Sequence, residues 1–287
     1  MAAGGTLTLS GSNGYSGATR VENGTLVIGS AAAWASSNSV VLGSAGNSAT
    51  LELNGLSKSF ASLTTAGTAG NQTVRNSAVG TATLTFSSAG TVSFGGSFVE
   101  NFANTKIAIG YSGGGTLAFG STNTYTGGTV ISNGTAQLGA NDAFSVGALT
   151  LGGSGTVGIL DLGGFNQTVS ALTVGVGATA ASQLIGNSST SADSILTYAG
   201  GTTSLGLTIQ DALGSGTRKT SLAFPSAGIV TILGANTYTG ATTISASTTV
   251  QVGSYGTVGA IGRGPIANAG SLVFARTDTY VMPRATS

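Results

Sequence analysis

The sequence predicts an all-β chain wound as a β-solenoid, and three observations carry that expectation. Thr, Val, Ile, Leu, Ser and Gly dominate while Glu, Lys, Gln and Arg are rare, so the local preference is for short strands between turns. Apolar and polar residues alternate over three to five positions, as in Thr25, Leu26, Val27, Ile28 and Thr83, Leu84, Thr85, Phe86, between boundaries of Gly, Asn or Ser. A long unit then recurs along the whole chain.

The recurrence is explicit. Gly5 to Gly29 reads GTLTLSGSNGYSGATRVENGTLVIG, Gly115 to Gly139 reads GTLAFGSTNTYTGGTVISNGTAQLG, and Gly228 to Gly253 reads GIVTILGANTYTGATTISASTTVQVG, so the copies open at near-equal intervals. Between these landmarks Leu51, Glu52, Leu53, Asn54, Gly55 match Leu160, Asp161, Leu162, Gly163, Gly164 in step with the first two copies. Val74, Arg75, Asn76, Ser77 pair more loosely with Ile185, Gly186, Asn187, Ser188. The expected organisation is a single continuous solenoid over 1–287, with long repeats at about 5–114, 115–227 and 228–287, the last incomplete.

Alternation sends Leu, Val, Ile and Phe to one face of each strand and Thr or Ser to the other. So short a strand hides its apolar face only by stacking on the previous turn of chain, which also pairs its backbone groups above and below. A sandwich or barrel would use similar strands, yet gives no reason for a repeat that runs to the last residues. A coil of about 20 residues would give about 14 coils and a rod roughly 65 Å long at the usual strand spacing.

Composition excludes several function classes. Of 287 residues only 6% are charged, nine cations and eight anions, against about 25% in ordinary domains. The cations Arg20, Lys58, Arg75, Lys106, Arg218, Lys219, Arg263, Arg276 and Arg284 are scattered, which argues against nucleic-acid binding. With no His and no Cys, a zinc site, a Cys nucleophile and a Ser-His pair are unavailable, and no cofactor is expected. Every apolar run is interrupted before the roughly 18 residues of a membrane helix, so no membrane insertion by this chain is expected. Met1 to Gly11 has neither the basic nor the apolar region of a secretory signal, which is expected to be absent or already removed.

The segment GSTNTYTGGTVISNGTAQLG, Gly120 to Gly139, resembles the passenger-associated transport repeat, also called the autotransporter-associated β-strand repeat, of large bacterial autotransporters. The first copy keeps Gly11, Ser12, Asn13, Tyr15, Ser16 and Gly17, and the third keeps Gly234 through Gly240. LDLGGFNQTVSALTV (Leu160 to Val174) and AGSLVFARTDTY (Ala269 to Tyr280) are similar to the sequence that surrounds the repeat in that family. The resemblance implies a right-handed parallel β-helix exported to the cell surface. The chain departs from the pattern at two places: Ala246 and Ser247 replace the Asn-Gly of the other copies, and nothing after Gly270 offers the strands of a membrane barrel.

Asn13, Tyr15, Gly17, Asn123, Tyr125, Gly127, Asn236, Tyr238 and Gly240 form the repeat-turn motif. Tyr is a good contact residue, so the motif offers a recognition surface. The stronger reading is a turn, with Asn favouring Asx-turns, Gly tolerating positive φ and Tyr packing over a corner. Asn-Gly at Asn23 and Asn133 reads as a turn in the same way.

Two other functions use this fold class. A polysaccharide-acting lyase or hydrolase would need paired carboxylates about 5 to 9 Å apart. The candidates are Glu22, Glu52, Glu100, Asp142, Asp161, Asp193, Asp211 and Asp278; Asp211 with Arg218 and Lys219 is the densest patch. Glu52 and Asp161, at one repeat position between two Leu, are expected to face outward. An ice or ordered-water binder would need flat Thr arrays, hinted at by Thr6/Thr8 and Thr83/Thr85 but broken after one pair.

The expectation is a non-enzymatic extracellular stalk or surface-fibre segment serving adhesion or aggregation. Its expected partners are copies of itself, end to end or laterally, and surface glycans or other cells. A chain without Cys also crosses an oxidising periplasm without trapping disulfides.

Overall fold

The computed structural model describes residues 4–33, 38–67 and 71–282. The chain divides into two compact units, Met1–Val130 with Gly139–Gly147, and Ile131–Leu138 with Ala148–Ser287. The first holds β1 (Thr6–Leu9), β2 (Thr19–Val21), β3 (Gly24–Ile28), β4 (Ser39–Leu42), β5 (Ala49–Glu52), β6 (Lys58–Phe60), β7 (Ser62–Thr65), β8 (Gln72–Asn76), β9 (Gly80–Phe86), β10 (Thr91–Phe94), β11 (Ser97–Glu100), β12 (Thr105–Tyr111) and β13 (Thr116–Phe119), and β14 (Thr129–Ile131) begins in it. The second holds β15 (Gly134–Leu138), β16 (Ala148–Leu151), β17 (Gly158–Asp161), β18 (Gln167–Val169), β19 (Ala171–Val174), β20 (Leu184–Asn187), β21 (Ser194–Tyr198), β22 (Thr203–Leu205), β23 (Thr208–Ala212), β24 (Thr220–Phe224), β25 (Gly228–Ile232), β26 (Thr242–Ile244), β27 (Thr248–Gly256), β28 (Ile266–Asn268) and β29 (Ser271–Arg276). One 3-10 turn, Ala180–Ser182, interrupts the strands.

Each unit is a parallel β-solenoid, as the alternation and the repeat predict. In the first, columns of stacked strands run β1-β3-β5-β8-β11, β2-β4-β7 and β6-β9-β12; in the second they run β15-β17-β20-β23, β18-β21-β24-β26-β28 and β22-β25-β27-β29. Paired residues include Ala49 with Gln72, Thr91 with Thr116 and Gly134 with Gly158. The extremes are Thr6 with Thr25 and Gln167 with Leu196. Most coils therefore take more chain than strand spacing alone suggests, and the expected count of coils is too high. The reason is that a coil joins several short strands through corners, and the corners consume residues that the strand count alone does not reveal.

The core forms because the alternation is kept in register. Along β12, Ile107, Ile109 and Tyr111 point inward, opposite Ala82, Leu84 and Phe86 of β9, and all six are buried. Each large side chain so buried contributes about 1.5–3 kcal/mol. In the first unit the stack turns aromatic: ring centroids lie 5.1 Å apart for Phe94 and Phe98, 4.9 Å for Phe98 and Phe119, and 4.8 Å for Phe119 and Phe144. The second unit is filled mainly by aliphatic residues such as Leu160, Ile185, Leu196, Leu222, Val250 and Val252.

The long repeat is not a whole number of coils. β13 is the sequence counterpart of β1, yet it pairs with β10 and does not extend the column that β1 begins. β10 follows the β7 side of the first unit, where Gly95 N–H donates to Thr65 Oγ1 at 3.3 Å. The column of β1 closes at β11, and the next layer over β11 is the repeat turn itself, which places the turn against strand backbone.

Candidate functional site

The sequence motif Asn-x-Tyr-Thr/Ser-Gly folds into the same bonded turn at each copy. A Tyr hydroxyl meets the hydroxyl of the Thr four residues on: 3.0 Å for Tyr15 and Thr19, 2.5 Å for Tyr125 and Thr129, 2.8 Å for Tyr238 and Thr242. Tyr125 and Tyr238 are 1% and 0% exposed, whereas Tyr15 is 39% exposed. Burial raises the pKa of both inner phenols, opposed by the Thr partner in each. Phe98 packs edge-on against Tyr125 at 5.7 Å, so this Tyr belongs to the core.

The Asn amide performs the part of a missing peptide group. Asn123 Oδ1 accepts Phe98 N–H at 2.9 Å from the layer before, and its Nδ2 donates to Ala143 O at 2.7 Å in the layer after. Asn236 repeats this with Ile209 N–H at 2.7 Å and Ala260 O at 3.0 Å. Asn13 keeps the onward bond to Ala33 O at 2.7 Å. The backbone of a turn cannot continue the parallel ladder of the strand beneath it. An Asn side chain supplies the same donor and acceptor at the same place.

The Thr of the motif recruits a carboxylate. Glu100 accepts Thr126 N–H at 2.7 Å and Thr126 Oγ1–H at 2.8 Å, as well as Ile107 N–H at 2.7 Å. Asp211, at the equivalent place under the next copy, accepts Thr239 N–H at 2.9 Å, Thr239 Oγ1–H at 2.6 Å and Thr220 N–H at 2.9 Å. The patch of Asp211, Arg218 and Lys219 is thus dispersed: Arg218 Nε donates to Thr190 O at 3.0 Å, and Lys219 N–H to Asp193 Oδ1 at 2.9 Å.

In the two inner copies the Gly of the motif is needed for a reason other than the expected one. Gly17, Gly127 and Gly240 do not have positive φ. Gly127 and Gly240 instead press against backbone, with N–H bonds of 2.9 Å to Ile107 O and 3.1 Å to Thr220 O, where a Cβ would collide with the same carbonyl. Positive φ falls at the Asn-Gly corners, +89° at Gly24 and +96° at Gly134, as the turn reading expects.

Glu52 and Asp161 do not face outward; they are 5% and 4% exposed. Alternation fails at these positions because each strand ends there in a bend, and the carboxylate folds over the corner. Glu52 accepts Asn54 N–H at 2.9 Å, Ser77 N–H at 3.0 Å, Ser77 Oγ–H at 2.7 Å and Arg75 Nε–H at 2.6 Å. Burial pushes its pKa up, but the bonds from Asn54, Ser77 and Arg75 together outweigh this and hold it below the usual value. Asp161 accepts Gly163 N–H at 3.0 Å, Ser188 N–H at 2.9 Å and Gln137 Nε2–H at 2.8 Å. Of the other candidates, Glu22 pairs with Arg20 at 3.0 Å, Asp278 pairs with Arg276 at 2.7 Å, and Asp142 stands at φ +50°.

Sequence reasoning missed two pairs of buried amides that follow the same repeat. Gln72 accepts Ala49 N–H at 2.9 Å and Gln183 accepts Gly158 N–H at 2.7 Å, while Asn76 and Asn187 donate to Lys106 O and Lys219 O at 2.9 and 3.2 Å. The signal was available, since Gln72 stands to Gln183 as Asn76 stands to Asn187 along the chain. The Thr-x-Thr form does not persist from strand to strand: Thr83 and Thr85 stand opposite Ala108 and Gly110, and Thr8 opposite Val27, while Thr6 heads a single file with Thr25, Thr50 and Thr73. Among the described residues no three of Asp, Glu, His and Cys gather as a metal site, and no helix is long and apolar enough to cross a membrane.

Comparison with known proteins agrees with the geometry. No curated protein and no solved structure matches the chain. The family model described as Passenger-associated-transport-repeat matches residues 4–28, 111–137 and 226–251, each containing one Asn-x-Tyr turn. The chain is therefore a β-solenoid that carries three passenger-associated transport repeats, the repeat found in autotransporter passengers.

Proposed function

We propose that the chain is a non-enzymatic, extracellular stalk segment of an autotransporter-like passenger, which spans distance from the cell and serves adhesion or aggregation. The observation that carries this reading is the passenger-associated repeat, present three times on a solenoid. The polar chemistry supports it. Glu52, Glu100, Asp161 and Asp211 are each committed to two or more backbone N–H groups, which leaves these carboxylates to hold coils together. A surface of Thr and Ser with a net charge of +1 repels neighbouring copies little, which suits contact between cells.

Display of the chain on a bacterial surface tests the proposal. Cells carrying it should settle or adhere faster than cells carrying the bare anchor, and Asp211→Asn should leave settling unchanged wherever the fold is retained. Incubation with uronic-acid polysaccharides should produce no unsaturated, ultraviolet-absorbing product. Product formation abolished by Asp211→Asn would overturn the reading in favour of a lyase.

A further inference from the structure

We infer that the N-terminal edge of the first unit, β1 with the turn Gly11–Gly17, is a docking site for an extended segment of defined chemistry: a large apolar residue, a second one four positions on, and a carboxylate two positions after that. The inference is independent of the stalk reading.

Two internal examples define the occupant. Beneath the second turn lies Thr91–Glu100: Phe94 stands opposite Phe119 of β13, Phe98 N–H bonds to Asn123, and Glu100 receives Thr126. Beneath the third lies Thr203–Asp211: Leu205 stands opposite Ile232 of β25, Ile209 N–H bonds to Asn236, and Asp211 receives Thr239. The spacing Phe94, Phe98, Glu100 equals the spacing Leu205, Ile209, Asp211. Of the eight acidic residues, only Glu100 and Asp211 follow large apolar side chains at both positions.

The first turn presents the same receptors, and among the described residues none covers them. Leu9, Asn13 and Ser16 stand where Phe119, Asn123 and Thr126 stand in the second copy. Leu7 is 45% exposed, whereas its counterparts Leu117 and Val230 are 0% and 2%. Asn13 bonds onward to Ala33 O, but among the described residues its Oδ1 and the Ser16 side chain have no partner. An edge strand with unpaired backbone groups accepts another strand readily, and the side-chain receptors then select which one.

A second copy of the chain does not supply the occupant. The last strands place Asn268 after Ile266 and Arg276 after Phe274 where the carboxylate belongs, and Gly262 and Gly270 where the first apolar residue belongs. Arg276 would bring a cation to the hydroxyl of Ser16. The occupant is therefore a segment from outside residues 4–282 with the spacing described.

A peptide with the sequence of Gly90–Asn101, GTVSFGGSFVEN, tests this when added to the full chain. The backbone amide resonances of Thr6–Leu9 and Asn13–Gly17 should shift saturably. The peptide with Glu100→Gln should bind about tenfold more weakly, the loss expected for hydrogen bonds to a charged group. Ser16→Ala in the chain should weaken binding of the parent peptide and leave the Gln peptide unaffected. A peptide of Pro265–Tyr280, the chain's own last strands, should not compete. In a second arm the peptide sequence is joined to Gly4 by a flexible linker, and amide exchange along β1 should slow in a Glu100-dependent way. Binding indifferent to the carboxylate, equal binding of the Pro265–Tyr280 peptide, or unchanged exchange in the linked form would overturn the inference.

Discussion

Asn236 and Ile209 are 27 residues apart and joined by a 2.7 Å bond from the Ile209 N–H to the Asn236 side-chain oxygen. The amide nitrogen of the same Asn binds Ala260 O at 3.0 Å, so one buried side chain bridges three layers. A turn that would break the parallel ladder keeps it whole.

Asn236→Ala should strand a buried donor on one side and an acceptor on the other. Each unsatisfied group costs about 1–3 kcal/mol, so a loss of roughly 2–5 kcal/mol is expected. Asn13→Ala removes the onward bonds only, at a turn open to solvent, and should cost under about 1 kcal/mol. Denaturant titrations of the two variants provide the comparison, with amide exchange at Ile209 locating the damage.

Alkali should act through the inner tyrosines. Burial raises the phenol pKa of Tyr125 and Tyr238 above the ordinary value of 10.0. A raised pKa means that the folded chain resists ionisation, so the contribution is fully present below about pH 10 and is lost as pH rises from the unfolded toward the folded value. Melting temperature should fall above about pH 10, together with the appearance of tyrosinate absorbance. Tyr125→Phe with Tyr238→Phe should flatten that fall while lowering stability at neutral pH, because the Thr242 hydroxyl loses its partner and the Thr129 hydroxyl keeps only the long 3.5 Å bond to Phe144 O. Tyr15→Phe, at a side chain 39% exposed, should leave stability at neutral pH within about 0.5 kcal/mol of the parent.

Acid should act through Glu52. Burial is the largest single influence on its pKa and raises it, yet the bonds from Asn54, Ser77 and Arg75 together outweigh burial and leave the folded value below the ordinary 4.5. Its contribution is therefore present above the unfolded value and lost as pH falls through the folded one. Stability of the first unit should decline below about pH 4.5, and Glu52→Gln should be less stable at pH 7 yet decline less steeply. An acid titration followed by amide exchange at Asn54 and Ser77 would show whether that carboxylate is responsible.

The strands and the repeat were legible because period-2 alternation and self-similarity are local properties. Leu26, Ile28, Leu84 and Phe86 are buried as their alternation requires. What was not legible depends on which coil lies beneath which. Asn123 reads as a turn former until Phe98 is known to sit under it, 25 residues back. Asp211 looked like part of a charged patch because Arg218 and Lys219 are near in sequence, whereas its partner Thr239 is 28 residues on. Glu52 and Asp161 broke the alternation rule because that rule ends where the strand bends.

Glycine substitutions separate the copies most sharply. In Gly127→Ala or Gly240→Ala the new methyl meets the carbonyl oxygen of Ile107 or Thr220, a backbone atom held in the ladder. Relief requires the coils to separate locally, so the bonds from Gly127 and Gly240 N–H lengthen or break. A loss of about 2–4 kcal/mol is expected at either site, in the range of strain and overpacking. At Gly17 a Cβ meets nothing within 4 Å, and the backbone there is not in the left-handed region. Gly17→Ala should lie within about 0.5 kcal/mol of the parent, and a small gain would reflect reduced freedom of the unfolded chain. Equal costs at the three positions, measured by thermal melting of each single variant, would mean that the turn is held by its own conformation and not by the coil beneath it.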